Sequence, residues 1–303
     1  MIRVGNVVVL GSINMDLVAR VPELPRPGDT VLAERLLKVP GGKGSNQAVA
    51  AARLGARVRM IGRVGNDTNG AELLAGLKAD GVNTSGVAVD WSQPSGVAVI
   101  IVEEGGQNMI AVAGGANSTV GDAEVEQLRD VLGPGDVLVL QLEVPLPAVL
   151  GAIRAAHEAK ARVILNAAPS AALVGQRVPN VDLLIVNEGE ADDLGGTQLL
   201  KSLGALAITL GAKGSVLYEK ERETRIEPQS VEAVDATAAG DALVGAAAFS
   251  LAGGSSVEDA IRLGGAAGAA AVTKMGARPS LPYPDDLKRL FGIELSAATR
   301  MKR

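Results

Sequence analysis

GGKGSNQAVAAARLGARVRMI, residues 41–61, sets a helix pattern directly against a strand pattern. Over residues 46–54 Ala and Leu fall at helical spacing with a charged face, and RVRMI at 57–61 is a short apolar run of the kind buried in a parallel sheet. The alternation extends in both directions. Strand-like runs recur as VVVL at 7–10, DVLVL at 136–140, RVIL at 162–165, DLLIV at 182–186 and ALAITL at 205–210, and helix-like stretches at 70–78, 147–160 and 239–251. Repeated βα alternation predicts an α/β fold, a doubly wound and mostly parallel sheet with helices on both faces. Two places break the rhythm. One is the proline-rich stretch 17–39; the other is 95–113, where GVAVIIVEEGGQNMIAVAG reads as two strands joined by a Glu-Glu-Gly-Gly turn. These can pair as a small sheet outside the main one. No Pro/Gly/Ser linker separates independent domains.

Composition narrows the chemistry. The 303 residues are 47% hydrophobic with 38 Gly, which suits a folded, close-packed chain. Aromatic residues are only 2%, so no base-stacking surface is expected. A net charge of -5 without any Lys/Arg run argues against nucleic-acid or anionic-membrane partners. Cys is absent and His157 is the single His, leaving little material for thiolate, zinc-cysteine or Ser-His catalysis. Carboxylates, Lys and backbone dipoles must carry any reaction. No signal-peptide layout and no uncharged run of roughly 18 residues is present, so a cytoplasmic protein is expected.

DATAAGD, residues 235–241, precedes a stretch with the composition of a buried helix. Ala238, Ala239 and Gly240 would leave bare backbone N–H groups at the helix start, where dipole and unpaired donors favour an anion. Asp241, inside that first turn, would be poised to take a proton from a hydroxyl while the amides hold phosphoryl charge. The same pattern also serves a helix cap with close-packing small residues. GGKGSN at 41–46 is no Walker loop, since Gly44 stands where Ser or Thr is needed. Toward the N-terminus VVVLGSINMD ends in Asn14 and Asp16, at the end of a buried strand where open α/β sheets bind ligands. Gly42, Lys43 and Asn46 open a helix, and Glu143 follows DVLVLQ in the equivalent position. Carboxylates, amides and an ammonium together suit a sugar's hydroxyls. Each alone also reads as a solvated loop, a cap or a helix polar face.

GSINMD, GGKGSNQAVAAARLGA, QLEVP, NEGE, TLGAKG and VDATAAGDALVGA, in this order and over nearly the whole chain, resemble the ribokinases of the PfkB sugar-kinase family. The resemblance implies a ribokinase-like fold over residues 1–303: a Rossmann-like α/β domain with a small β lid from insertions at about 15–40 and 95–113. It implies ATP-dependent phosphorylation of the terminal hydroxymethyl of a sugar, ribose being favoured. Asp241 is then the general base, and Ala238, Ala239 and Gly240 the anion hole. The sugar is then held by Asn14, Asp16, Gly42, Lys43, Asn46 and Glu143. Asn187 and Glu190, matching N-x-x-E, are implied to contact ATP phosphates and water-coordinated Mg²⁺. Thr209, Gly211, Lys213 and Gly214 form the implied nucleotide turn. A K⁺ site is implied at Asp235, Thr237, Ala271, Lys274, Gly276 and Ser280.

Departures accompany the match. Ala236 lacks the hydroxyl, and Ala238 replaces the Gly, of the family's usual D-T-x-G-A-G-D. Residues 191–208 form a shortened crossover that must contain a helix. Val and Ile at 97–102 and 109–112 offer an exposed lid face, from which a homodimer through the lids is expected. His157 and Trp91 are expected at the surface without a catalytic role. Rival readings are a kinase for fructose, deoxyribose or a nucleoside, and a non-catalytic sugar-binding relative. A phosphorylated sugar is disfavoured because Lys43 is the one cation placed near the sugar site.

Overall fold

The computed structural model describes residues 4–105, 107–200 and 203–295. Its strands are β1 (Val7–Leu10), β2 (Asn14–Val21), β3 (Arg35–Gly41), β4 (Val58–Gly65), β5 (Asn83–Asp90), β6 (Gly96–Glu103), β7 (Asn108–Ala113), β8 (Val137–Leu140), β9 (Arg162–Asn166), β10 (Leu183–Asn187), β11 (Ala205–Thr209), β12 (Ser215–Glu219) and β13 (Arg222–Ile226). A nine-stranded sheet runs in the order β13, β12, β11, β10, β9, β8, β1, β4, β5. Neighbours from β11 to β5 are parallel, and β12 and β13 close the other edge antiparallel. All six expected strand runs lie in this sheet.

Every residue of β1 is buried. Val7 and Val9 point into a core with the helices Lys43–Leu54, Ala239–Ala252 and Val257–Ala271, and Val8 and Leu10 into a second core with Asp122–Val131 and Leu146–Glu158. Burying each such side chain contributes about 1.5–3 kcal/mol, which is why a central parallel strand is apolar throughout. The helix Ala239–Ala252 is buried from Asp241 onward. At Gly245 an added Cβ would lie 2.5 Å from the Cβ of Ala50 and 2.6 Å from the carbonyl oxygen of Gln47. That close approach lets Asp241, one turn earlier, reach the Lys43–Leu54 helix.

The two interruptions of the βα rhythm meet in a separate four-stranded sheet, ordered β3, β2, β6, β7. The stretch 17–39 therefore carries strand at both its ends, with β2 and β3 antiparallel and β2 and β6 parallel. Gly106, in the turn between β6 and β7, lies outside the described residues, as do residues 1–3 and 296–303 at the ends of the expected domain. The expected crossover helix within 191–208 is two short pieces, Glu188–Asp193 and Thr197–Leu200. Gly195 and Gly196, at φ 99° and 85°, break it, since a right-handed helix cannot pass through left-handed backbone. Residues 201 and 202 of that segment are outside the described set. Among the described residues no helix is long and apolar enough to cross a membrane.

Candidate active site

From β1 the chain builds outward to β4 on one flank and later to β8 on the other. At such a reversal the connections diverge to opposite faces and a crevice opens at the carboxyl ends of the strands. Ser12 beyond β1, Glu143 beyond β8 and the start of the Lys43–Leu54 helix meet there. The Ser12 hydroxyl donates to Glu143 Oε2 at 2.5 Å, and the Lys43 backbone N–H donates to the same oxygen at 3.1 Å. The Gly44 N–H donates to Ser12 Oγ at 3.2 Å. Glu143 thus sits at a helix N-terminus, where the dipole favours a carboxylate. Gly42 makes the entry possible: its φ is 89°, and a Cβ would stand 2.7 Å from the Asn14 nitrogen.

Asn14 and Asp16 do not terminate the buried strand as the sequence suggested. That strand ends at Leu10, and both residues open β2, which carries them over the crevice. Neither is solvated. Asn14 Oδ1 accepts from Asn117 Nδ2 at 2.7 Å, and Asn117 Oδ1 accepts from the Ile13 N–H at 2.9 Å. Asp16 lies so closely over Gly41 that a Cβ there would be 2.1 Å from its carboxylate. Burial, then the carboxylates of Glu143 and Asp241, push Asp16 up to about 7 against the opposing Arg278.

Asp241 is 8% exposed. Its Oδ2 accepts from Asn46 Nδ2 and its Oδ1 from Gln47 Nε2, each at 3.0 Å. Gln47 Nε2 also reaches Asn166 Oδ1 at 3.1 Å, and Gln141 Nε2 donates to Gln47 Oε1 at 2.6 Å. The carboxylate is fixed by an amide ladder rather than by its own helix cap. Burial raises its pKa, opposed by Lys43 and the two amides, which makes it a stronger base than an ordinary Asp. Burial would depress Lys43, but Asp241, Glu143 and Glu190 around it push it above its usual value, so the ammonium stays charged. Asn46 Oδ1 is buried with no donor among the described residues. An unpaired buried acceptor beside this crevice is ready for a hydroxyl.

The nucleotide-side residues are built locally. Asn187 Oδ1 accepts from the Glu190 N–H and Glu190 Oε2 from the Asn187 N–H, both at 2.8 Å, so N-x-x-E is the capping box of Glu188–Asp193. Glu190 nevertheless faces the crevice, since Lys43 acts on it: burial raises its pKa, against the Asn187 N–H and Lys43. Thr209 pairs with Asn187 across β11 and β10. Gly211, Lys213 and Gly214 make the 3₁₀ turn and its exit into β12. Ala238, at the helix start, adopts φ 60° and ψ 10°. A left-handed Ala costs about 1–2 kcal/mol, a strain that the family's Gly would avoid. Of the three expected anion-hole amides, that of Ala239 makes a 3.3 Å bond to the Ala236 carbonyl.

Of the candidate cation residues, Thr237 and Gly276 bond directly to Asp235. Its Oδ1 accepts from the Thr237 N–H at 2.9 Å and hydroxyl at 2.6 Å, and its Oδ2 from the Gly276 N–H at 2.7 Å. Burial would raise Asp235, yet these donors hold it below the usual carboxylate range. The Ala271 carbonyl accepts from the Lys274 N–H at 3.1 Å, the Lys274 ammonium pairs with Asp286 at 2.8 Å, and the Ser280 hydroxyl donates to Ala277. Carboxylate, carbonyl and hydroxyl oxygens on turns form a hard donor set that fits an alkali cation.

A profile of the pfkB family carbohydrate kinases matches residues 4–284. The chain belongs to the PfkB family of carbohydrate kinases. The ribokinase of Schizosaccharomyces pombe is 38% identical, over 95% of this chain and 98% of that protein. The ribokinase of Haemophilus influenzae is 37% identical over 90% and 94%. The structure of Arabidopsis thaliana ribokinase complexed with ribose and ATP matches with a TM-score of 0.83 at 29% identity, over 96% of this chain and 99% of that one.

Within this PfkB chain, sequence reasoning missed the residues that hold the anticipated ones. Ser12, Gln47, Asn117, Gln141 and Asn166 are side chains whose partners lie far along the chain. Gln47 follows Asn46 in its motif, and Ser12 and Gln141 stand inside GSINMD and QLEVP, the signals that were available. Lys43 is also not the sole cation near the sugar-side residues: the Arg278 charge favours the Asp16 carboxylate. His157 and Trp91 are at the surface, Trp91 being 83% exposed.

Proposed function

We propose that this PfkB chain phosphorylates D-ribose at O5, using ATP and releasing ribose 5-phosphate and ADP. One observation carries the reading: the Asp241 carboxylate is held by Asn46 and Gln47 beside an open helix start, within a crevice of sugar-compatible groups. Asn14, Asp16, Gly42, Lys43, Asn46 and Glu143 bind the sugar and present its hydroxymethyl to Asp241. The hydroxyl oxygen bonds to the γ-phosphorus, the bond to the bridging oxygen of ADP breaks, and Asp241 takes the proton. Amides of residues 238–240 and the Lys43 ammonium face the phosphoryl charge.

Asn187, Thr209, Gly211, Lys213 and Gly214 line the nucleotide side in this reading. Glu190 would hold Mg²⁺ through water, and the oxygens gathered about Asp235 would hold K⁺. These ions would neutralise phosphate charge and stiffen the anion-hole turn. The second sheet acts as a lid that excludes water and so suppresses ATP hydrolysis. Met109, Ile110 and Val112 on its outer strand are exposed. A second copy of the chain covers this face in our reading, and a monomer in light scattering at micromolar concentration would refute that.

The test of function is ADP release with Mg-ATP and K⁺, comparing ribose, 2-deoxyribose, fructose, adenosine and no sugar. Turnover with ribose well above the rest is expected. Preference for another acceptor reassigns the substrate, and ribose binding without turnover makes the protein a binder.

A further inference from the structure

Arg278 is 6% exposed, a rare place for a guanidinium. It stands in the short helix Ala277–Ser280. Its Nη2 donates to Ser45 Oγ at 3.0 Å, while Nε and Nη1 have no hydrogen-bond partner among the described residues. The Ser45 hydroxyl in turn donates to the Gly41 carbonyl, and Gly41 is the residue on which the Asp16 carboxylate lies. A continuous path therefore runs from Arg278 through Ser45 and Gly41 to Asp16. The mount is rigid: Arg53 Nη1 donates to the carbonyls of Arg278 and Leu281, both at 2.8 Å, and its guanidinium stacks 4.7 Å over the Tyr283 ring.

Burying a charge with unpaired N–H groups is unfavourable unless its field is used nearby. The charged groups acting on Arg278 are Asp80, Arg53 and Asp16. Arg53 already pairs with Asp80 at 2.9 Å, which leaves Asp16 as the carboxylate not otherwise matched by a cation. Acting on Asp16, in turn, are Glu143 and Asp241, both repelling its charge, and Arg278, the one cation among the described residues opposing them.

We propose that Arg278 is a positioning residue of the sugar site: through Ser45 it fixes the turn of residues 41–45 against which Asp16 lies, and its charge favours the Asp16 carboxylate. An anionic Asp16 accepts hydrogen bonds from sugar hydroxyls, whereas a protonated one must surrender an acceptor lobe. The inference rests on the sugar-site reading above and adds a residue that touches no substrate.

The experiment measures kcat and KM for ribose between pH 6 and 9 for the wild type, Arg278→Gln, Arg278→Lys and Ser45→Ala, with thermal unfolding to verify folding. For Arg278→Gln, KM should rise about fivefold at pH 7 and return to within about twofold of wild type at pH 9, because a one-unit rise from about 7 cuts the ionised fraction about fivefold at pH 7 and hardly at all at pH 9. Its kcat should stay within about twofold, since ground-state binding alone is lost. Arg278→Lys should restore most of the pH 7 affinity. Ser45→Ala, which keeps the charge, should raise KM equally at all pH values. An Arg278→Gln KM that is unchanged, or raised equally at every pH without rescue by Lys, overturns the proposal while leaving the sugar site standing. Absence of ribose binding and turnover in the wild type would instead remove the sugar reading and this inference with it.

Discussion

Sugar-side groups of the crevice find their partners across the chain, whereas nucleotide-side groups find them next door. Asn46 and Gln47 reach Asp241 over 195 and 194 residues, and Ser12 reaches Glu143 over 131. Asn187 and Glu190 bond to each other at a separation of three. The sugar side is also buried and crowded with carboxylates around Lys43, while Asn187 and Gly240 are exposed. The contrast teaches that the two sides acquire order differently. Under the proposed function, long-range side-chain bonds would preorganise the sugar site and the base before any ligand arrives, and short-range caps and turns would leave the phosphate side open to be completed by the nucleotide.

Substitutions can break or sharpen this contrast. Asp241→Asn keeps the shape of the preorganised side and removes its basicity. Its kcat should fall by about 10²–10⁴-fold with ribose affinity nearly intact, as read by ADP release and calorimetry. Equal activity would take Asp241 out of the base role. Gln47→Leu leaves Asp241 with one amide and strands the amides of Gln141 and Asn166. It should lower stability by about 1–3 kcal/mol and reduce kcat, checked by denaturant unfolding and turnover.

Acid should weaken the sugar side selectively. Asp16 is pushed up to about 7, so below that pH it gains a proton in the free protein, and ribose binding must displace it. Ribose Kd should worsen by up to about tenfold per pH unit below 7, with ATP affinity changing less. The linked stability has the opposite sign: a carboxyl raised from 3.8 favours the free fold at low pH and loses that contribution as pH rises toward 7. Asn187→Ala, on the locally built side, should cost about 0.5–2 kcal/mol of helix stability and raise KM for ATP without moving ribose affinity. A loss of ribose affinity as large as that of ATP would show that the sides are not separately built. The smallest effect is expected from Ala238→Gly. Relief of left-handed strain is partly cancelled by the entropy of Gly in the unfolded chain, giving a gain of at most about 1 kcal/mol in thermal unfolding.

This division also governs what could be read without the fold. β1, β4, β8, β9, β10 and β11 were legible because a buried parallel strand must be apolar on both faces, whatever lies around it. N-x-x-E and the small residues before Asp241 were legible because caps and helix starts are settled within one turn of chain. The break of the crossover at Gly195 and Gly196 was missed, although two adjacent glycines marked it. Asn14 and Asp16 were placed in the correct crevice but on the wrong element, since a polar residue after a buried strand reads alike whether the chain ends there or turns into a second sheet.

Periodicity and local backbone chemistry suffice for the βα rhythm, the two interruptions and the ordered motifs, which can all be read along the chain. The approach of distant segments alone brings Gln47 to Asp241, Asn117 to Asn14 and Arg278 to Ser45. Those pairings depend on how closely helices and sheets approach, as at Gly245 against Ala50. A distance of a few ångströms across more than a hundred residues leaves no periodic trace in the chain.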